Sequence, residues 1–144
     1  MSGSDALKKI IHAGIIGAGG ISEAHAQGYL SIPQKARIVA VADIDKKTAK
    51  QKARKWGAQS WYVDFQDLVK RDDIDAVSVC TPTYTHAQIS IAAMKKGKHV
   101  LCEKPIAMNL NQADEMVQTS EKESLILQVG TTIALTQYLK KPKR

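Results

Sequence analysis

The stretch "IIHAGIIGAGGISEAH" (residues 10–25) decides how the rest of the chain is read. Its first part, Ile10 to Gly17, is an apolar, isoleucine-rich run of strand length. Its second part opens a helical pattern after Gly17, Gly19 and Gly20. Gly17 and Gly19 hold the first two places of a dinucleotide-binding fingerprint, and Ser22 stands in the third. Gly17 permits a tight turn and Gly19 lets the backbone approach a pyrophosphate. The helix that follows offers unpaired N–H groups and a positive dipole end to that anion. Ser22 is small enough to keep helix and strand close. Glycine turns between strand and helix are also common structural devices, so the context has to carry the reading.

Outward from this stretch, apolar runs alternate with helical patterns. The runs are residues 10–17, "RIVAVAD" (37–43), "SWYV" (60–63), "DAVSVC" (75–80), "KHVLC" (98–102) and "LILQVG" (125–130). Helices are expected near 20–30, 45–56, 64–70, 85–96 and 109–122, with Asp45, Asp64 and Asn109 or Asn111 as N-caps. Most of the runs are short and apolar rather than strictly alternating, which is the signature of a parallel sheet covered by helices on both faces. Right-handed crossovers then build a Rossmann-type, doubly wound α/β sheet of about six strands in the order 3-2-1-4-5-6. The expected organisation is one domain over residues 9–130, a flexible N-terminus over 1–8 and an atypical basic tail over 131–144. A crevice is expected above the ends of strands one and four, where the strand order reverses.

The 144 residues suffice for a core that folds without disulfides or metal. The net charge of +7 suggests nucleic acid, but its location argues against that reading. Residues 10–130 carry 15 Lys and Arg against 13 Asp and Glu, while Lys140, Lys141, Lys143 and Arg144 crowd the end. The internal cluster "KKTAKQKARK" (46–55) lacks interleaved aromatic residues and reads as the solvated face of a helix. Neither nucleic acid nor membrane is expected as a partner. No apolar run is long enough to span a bilayer and no export signal opens the chain, so a soluble, cytoplasmic protein is expected. Cys80 and Cys102, each closing a β-like run, read as buried free thiols.

The candidate chemistry sits at the ends of the strands. Asp43 closes strand two, 26 residues after Gly17, where a carboxylate can accept hydrogen bonds from both hydroxyls of an adenine ribose and repel a 2′-phosphate. This favours NAD over NADP, with Lys46 and Lys47 as the counter-signal; the structural alternative is a turn residue. "CTPTYTHA" (80–87) breaks strand four at Thr81-Pro82, with Thr83 or Thr85 able to cap the next helix and His86 in its first turn. That loop either lays a hydroxyl and a flat apolar surface beside a nicotinamide or simply ends the strand. His25 reads as a packing residue. "VLCEKPIA" (100–107) places Glu103 and Lys104 directly after a strand, with Pro105 stiffening the turn. A lysine beside a crevice can exchange a proton with a substrate hydroxyl during hydride transfer. Its bland alternative is a surface lysine paired with Glu103.

Together "GIIGAGGISEAH", "VAVADID", "VCTPTYTHA" and "HVLCEKPIA", in this order, resemble the N-terminal half of the Gfo/Idh/MocA oxidoreductases over about residues 9–130. The Glu-Lys-Pro motif is that family's mark. The resemblance implies that Gly17, Gly19, Gly20 and Ile21 line the pyrophosphate, that Asp43 binds the adenosine ribose, and that Thr81, Pro82 and His86 border the nicotinamide. It implies Lys104 as the catalytic lysine, with Glu103 beside the cofactor, and no metal. It further implies oxidation or reduction of sugars, polyols or related compounds with NAD or NADP, and a second, substrate-facing domain. Where the family continues past "QVG" with a stretch resembling HNxRFDP, this chain reads "TTIALTQ". With the frame moved back by one base, codons allowed for residues 131–137 can spell HNHRFDP. The expectation is therefore a truncated chain produced by a frameshift near Gly130, which the encoding DNA would show. Such a chain is expected to bind NAD and to turn over substrate weakly or not at all; the alternative is a non-catalytic NAD-binding module or partner subunit. A homodimer covering the sixth-strand side is the expected assembly.

Overall fold

A computed structural model describes residues 9–130; the expected N-terminal segment and basic tail lie outside the described residues. Each of the apolar runs forms a strand: β1 (Ile11–Ile16), β2 (Ala36–Ala42), β3 (Ser60–Tyr62), β4 (Ala76–Val79), β5 (His99–Cys102) and β6 (Leu127–Val129). They pair in parallel in the order β3-β2-β1-β4-β5-β6, the doubly wound arrangement expected from the alternation of strands and helices. Most strands are a residue or two shorter than the runs. At the C-terminal edge Gly17, Asp43, Cys80 and Glu103 leave the strands and enter the loops that carry the site.

Helices α1 (Ser22–Leu30), α2 (Lys46–Trp56), α3 (Phe65–Val69), α4 (His86–Lys95) and α5 (Leu110–Lys122) fill the connections. The Asp45 carboxylate accepts the N–H of Lys47 at 2.9 Å and of Thr48 at 3.3 Å. Asp64 accepts that of Gln66 at 2.9 Å, and Asn109, rather than Asn111, accepts that of Gln112 at 2.9 Å. The start of α4 departs from expectation. Neither Thr83 nor Thr85 caps it through its side chain, because Thr83–Thr85 forms a short 3-10 turn. The Thr85 hydroxyl lies 2.6 Å from the Pro82 carbonyl and 2.7 Å from the Thr81 hydroxyl, so it is engaged within its own loop.

The alternation of side chains along β1 supplies both halves of the core. Ile15 packs with Ala26, Trp56 and Val41 beneath α1 and α2, while Ile16 packs with Leu68, Val79 and Met94 beneath α3 and α4. Gly14 admits α3, since a Cβ there would lie 2.7 Å from Leu68 Cδ2. Cys80 and Cys102 are buried free thiols, and burial pushes the Cys102 thiol up to about 11.

The basic cluster is the outer face of α2, with Ala49, Ala53 and Trp56 on its buried side. Two of its lysines are engaged by α1: Lys55 and Lys52 each hold Glu23 at 2.9 Å and pull its carboxyl down from 4.5 to about 2. A depressed carboxyl stabilises the fold above its unfolded pKa, and that contribution is lost as pH falls from about 4.5 towards 2. Replacing Glu23→Gln is expected to cost about 1 kcal/mol at pH 7 in urea denaturation, the small value reflecting a part-exposed pair. The difference from the parent chain should shrink as pH falls towards 2 and vanish only below it; a gap that does not shrink would show that the ion pairs are not its source.

Candidate functional site

At the C-terminal edge of the sheet, the loops after β1, β2, β3 and β4 surround a cleft of about 800 Å3. Gly17 lies on its wall with φ of 90°, and a Cβ there would stand 2.7 Å from the carbonyl carbon and oxygen of Cys80. Only glycine fits this place. Gly19 also lines the cleft, yet a Cβ on it would meet nothing within 4 Å. The protein itself therefore makes no demand for glycine at 19, and the space in front of that backbone is open to a ligand.

The loop closes into α1 through short, 3-10-type bonds: the N–H of Ser22 reaches Gly19 O at 3.2 Å, that of Glu23 reaches Gly20 O at 3.3 Å, and that of Ala24 reaches Ile21 O at 3.2 Å. The buried Ser22 hydroxyl also donates to the Gly19 carbonyl, so the third fingerprint position fastens the loop as well as sparing space. Among the described residues, the N–H groups of Gly19, Gly20 and Ile21 meet no backbone or side-chain acceptor. These are the free donors of a helix start, suited to an anion.

Asp43 lines the cleft beside the glycine loop. One carboxylate oxygen accepts the Ala18 N–H at 2.8 Å and the other accepts the Asp45 N–H at 2.8 Å. The side chain thus holds the glycine loop against the turn into α2 while remaining part-exposed on the cleft wall. Asp64 lines the same side, adding a second carboxylate. Of the two counter-signal cations, Lys46 lies with its ammonium 5.7 Å from the centre of the Trp61 ring.

Gly17, Gly19, Asp43, Thr81 and Pro82 line the cleft, whereas Gly20, Ile21, His86, Glu103 and Lys104 do not. His86 is 1% exposed and stands behind the wall, with Nδ1 2.9 Å from the Pro105 carbonyl and Nε2 2.8 Å from the Thr81 carbonyl. Glu103 is also buried. It does not pair with the Lys104 ammonium: one oxygen accepts from His25 Nε2 at 2.7 Å, and the other accepts the backbone N–H of Lys104 at 3.3 Å. His25 is therefore more than packing. Lys104 is exposed on the adjoining turn, and its peptide bond to Pro105 is cis.

Sequence reasoning missed apolar residues of the cleft lining, among them Ile44, Val63, Phe65 and Tyr84. Ile44 is 95% exposed and Tyr84 70%. The available signal was an isoleucine set between Asp43 and Asp45 at a strand end, where no core position was due. The whole arrangement suits a ligand with an anion for the glycine turn, hydroxyls for Asp43 and flat rings for the apolar wall.

Residues 11–131 match the oxidoreductase family with an NAD-binding Rossmann fold, Gfo/Idh/MocA. The chain is 35% identical over 130 residues to a myo-inositol 2-dehydrogenase of Thermotoga maritima, and 36% identical over 133 residues to a glucose-6-phosphate 3-dehydrogenase of Bacillus subtilis. These alignments cover 90% and 92% of this chain but only 39% and 36% of the relatives, so the chain spans well under half of their length. Among solved structures, a probable dehydrogenase from Thermotoga maritima superposes with a TM-score of 0.79 at 35% identity, covering 83% of this chain and 36% of that one. A levoglucosan dehydrogenase solved in complex with NADH superposes with a TM-score of 0.79 at 27% identity, covering 84% of this chain and 34% of that one. On the family match and the cleft geometry together, the chain belongs to the Gfo/Idh/MocA oxidoreductase family and carries its NAD-binding Rossmann fold.

Proposed function

We propose that the cleft at the C-terminal edge of the sheet holds NAD(H), and that the neighbouring Lys104 serves hydride transfer to or from a sugar, a polyol or a related compound. The observation that carries this reading is the pairing of an unobstructed Gly19 backbone with Asp43 on one cleft wall. In this reading the free N–H groups of Gly19, Gly20 and Ile21 receive the pyrophosphate. Asp43 accepts the ribose hydroxyls with the lone pairs left over from its two backbone bonds. Thr81 and Pro82 bound the nicotinamide end, with His86 and Glu103 behind them. When bound, the dinucleotide supplies the acceptor or donor of a hydride; Lys104 gives or takes the proton at the substrate oxygen.

The substrate class is supported by relatives named for inositol and glucose 6-phosphate. A second reading, a non-catalytic NAD-binding module or partner subunit, is favoured by the exposure of Lys104, because a hydride path open to water is poorly protected. Titrating the 144-residue chain with NADH, followed by nicotinamide fluorescence, tests both readings. Saturable binding is expected, with NADPH weaker by about tenfold or more because of the two carboxylates on the ribose side. No binding overturns the proposal. Turnover of inositols and sugars by the same protein is expected to be weak, and brisk turnover would remove the second reading.

A further inference from the structure

Two buried histidines that do not line the cleft both terminate on the turn that carries Lys104. His25 comes from α1 on one face of the sheet and His86 from α4 on the other, and each is 1% exposed. His25 Nε2 lies 2.7 Å from Glu103, whose second oxygen accepts the Lys104 N–H. His86 Nδ1 lies 2.9 Å from the carbonyl of Pro105, and its other nitrogen lies 2.8 Å from the carbonyl of Thr81 on the cleft wall. Residues 103 and 105 are thus gripped on either side of the lysine. The partners are selective: a carboxylate and two carbonyls are acceptors, so His25 donates from Nε2 to Glu103, and His86, with one ring N–H, braces the turn in the tautomer that donates from Nδ1 to Pro105, the Thr81 carbonyl then being a close neighbour and not a second acceptor. An apolar side chain of similar volume would fill either place but leave the buried Glu103 or the Pro105 carbonyl without its donor.

We propose that His25 and His86 are positioning residues, a two-sided brace that fixes the Glu103-Lys104-Pro105 turn relative to the cleft. The inference rests on the reading of Lys104 given above for its functional meaning, but the brace is tested without any cofactor. His25 also links that turn to α1, the helix that starts at the glycine loop. Both the Thr81 carbonyl and the turn bearing the lysine lie against the His86 ring. The expected consequence is that Lys104 keeps one place in the free protein.

Amide hydrogen exchange in the full 144-residue chain, read by NMR, measures this directly. The Lys104 amide is compared with that of Val79 in β4 as an internal reference for the fold. His25→Leu and His86→Phe are each expected to speed exchange at Lys104 by about tenfold or more relative to Val79, while His25→Gln, which can still donate to Glu103, stays within about threefold of the parent chain. If His25→Leu protects Lys104 as well as His25→Gln does, or if neither apolar variant changes the ratio, His25 and His86 only fill space and the proposal is overturned. Should the apolar variants fail to fold, the parent chain decides. Each histidine must show at least one slowly exchanging ring N–H, and rings without one overturn the brace. Failure to bind NADH would remove the proposed function yet leave these exchange results standing, so the two failures are distinguishable.

Discussion

Gly17→Ala is expected to destabilise the fold and abolish NADH binding together, whereas Gly19→Ala should impair binding alone. At 17 the backbone has φ of 90°, and the new Cβ would meet the Cys80 carbonyl at 2.7 Å and Thr81 Cγ2 at 2.9 Å. The Cys80 atoms are backbone, so no change of rotamer relieves that clash, and the loss should reach at least about 2 kcal/mol. The glycine turn would move away from β4 and take the cleft wall with it. At 19 the added Cβ meets nothing within 4 Å. Stability should stay within about 0.5 kcal/mol of the parent chain. NADH affinity should nevertheless fall by about tenfold or more, because in the proposed reading the methyl group would stand where the pyrophosphate approaches the backbone. Urea denaturation paired with NADH titration separates the two effects. Equal stability losses at both positions would mean that Gly19 also serves the fold, and unchanged NADH affinity in Gly19→Ala would place the pyrophosphate elsewhere.

That contrast marks what the sequence carried and what it did not. Strand order and helix positions were legible because hydrophobic runs, Asp45, Asp64 and Asn109 are local signals, and each acts within a few residues of itself. Asp43 was legible as a cleft residue because its place follows from the end of β2. Its clasp on Ala18, 25 positions away, was not, because nothing in the spacing tells which lone pairs a carboxylate spends on the backbone. The same limit applies to His86. The resemblance implies a residue bordering the nicotinamide, but nothing in the spacing tells that the short 3-10 turn before α4 sets its ring between two carbonyls. For Glu103, the adjacent lysine was the obvious partner in one dimension, and the actual partner sits on α1, 78 residues earlier. Ile44 was invisible for a different reason: periodicity finds apolar residues that are buried, and this one is exposed on the cleft lining.

In the proposed reading Asp43 both clasps the glycine loop and receives the ribose, so Asp43→Ala should produce two separable losses. Removing the carboxylate leaves the N–H groups of Ala18 and Asp45 without their acceptors, each previously at 2.8 Å. The Ala18 donor is buried and loses its acceptor outright, whereas water can replace the acceptor of the exposed Asp45 N–H, so stability should fall by about 1–2 kcal/mol. NADH binding should fall further, by about a hundredfold, since the ribose loses its acceptor and the glycine loop loses its anchor at the same time. NADPH should suffer less, because the charge opposing a 2′-phosphate is gone; the ratio of NADPH to NADH affinity is expected to rise by about tenfold. Full inversion is not expected while Asp64 remains on the same wall and Lys46 remains over Trp61. Asp45→Ala is the matched control. It removes the cap of α2, the carboxylate that accepts the N–H groups of Lys47 and Thr48, at a cost of about 1 kcal/mol, and it should leave the cofactor preference where it was. If Asp43→Ala and Asp45→Ala shift the preference equally, net charge at the cleft mouth governs selectivity. If Asp43→Ala binds NADH as tightly as the parent chain, its carboxylate serves the loop alone.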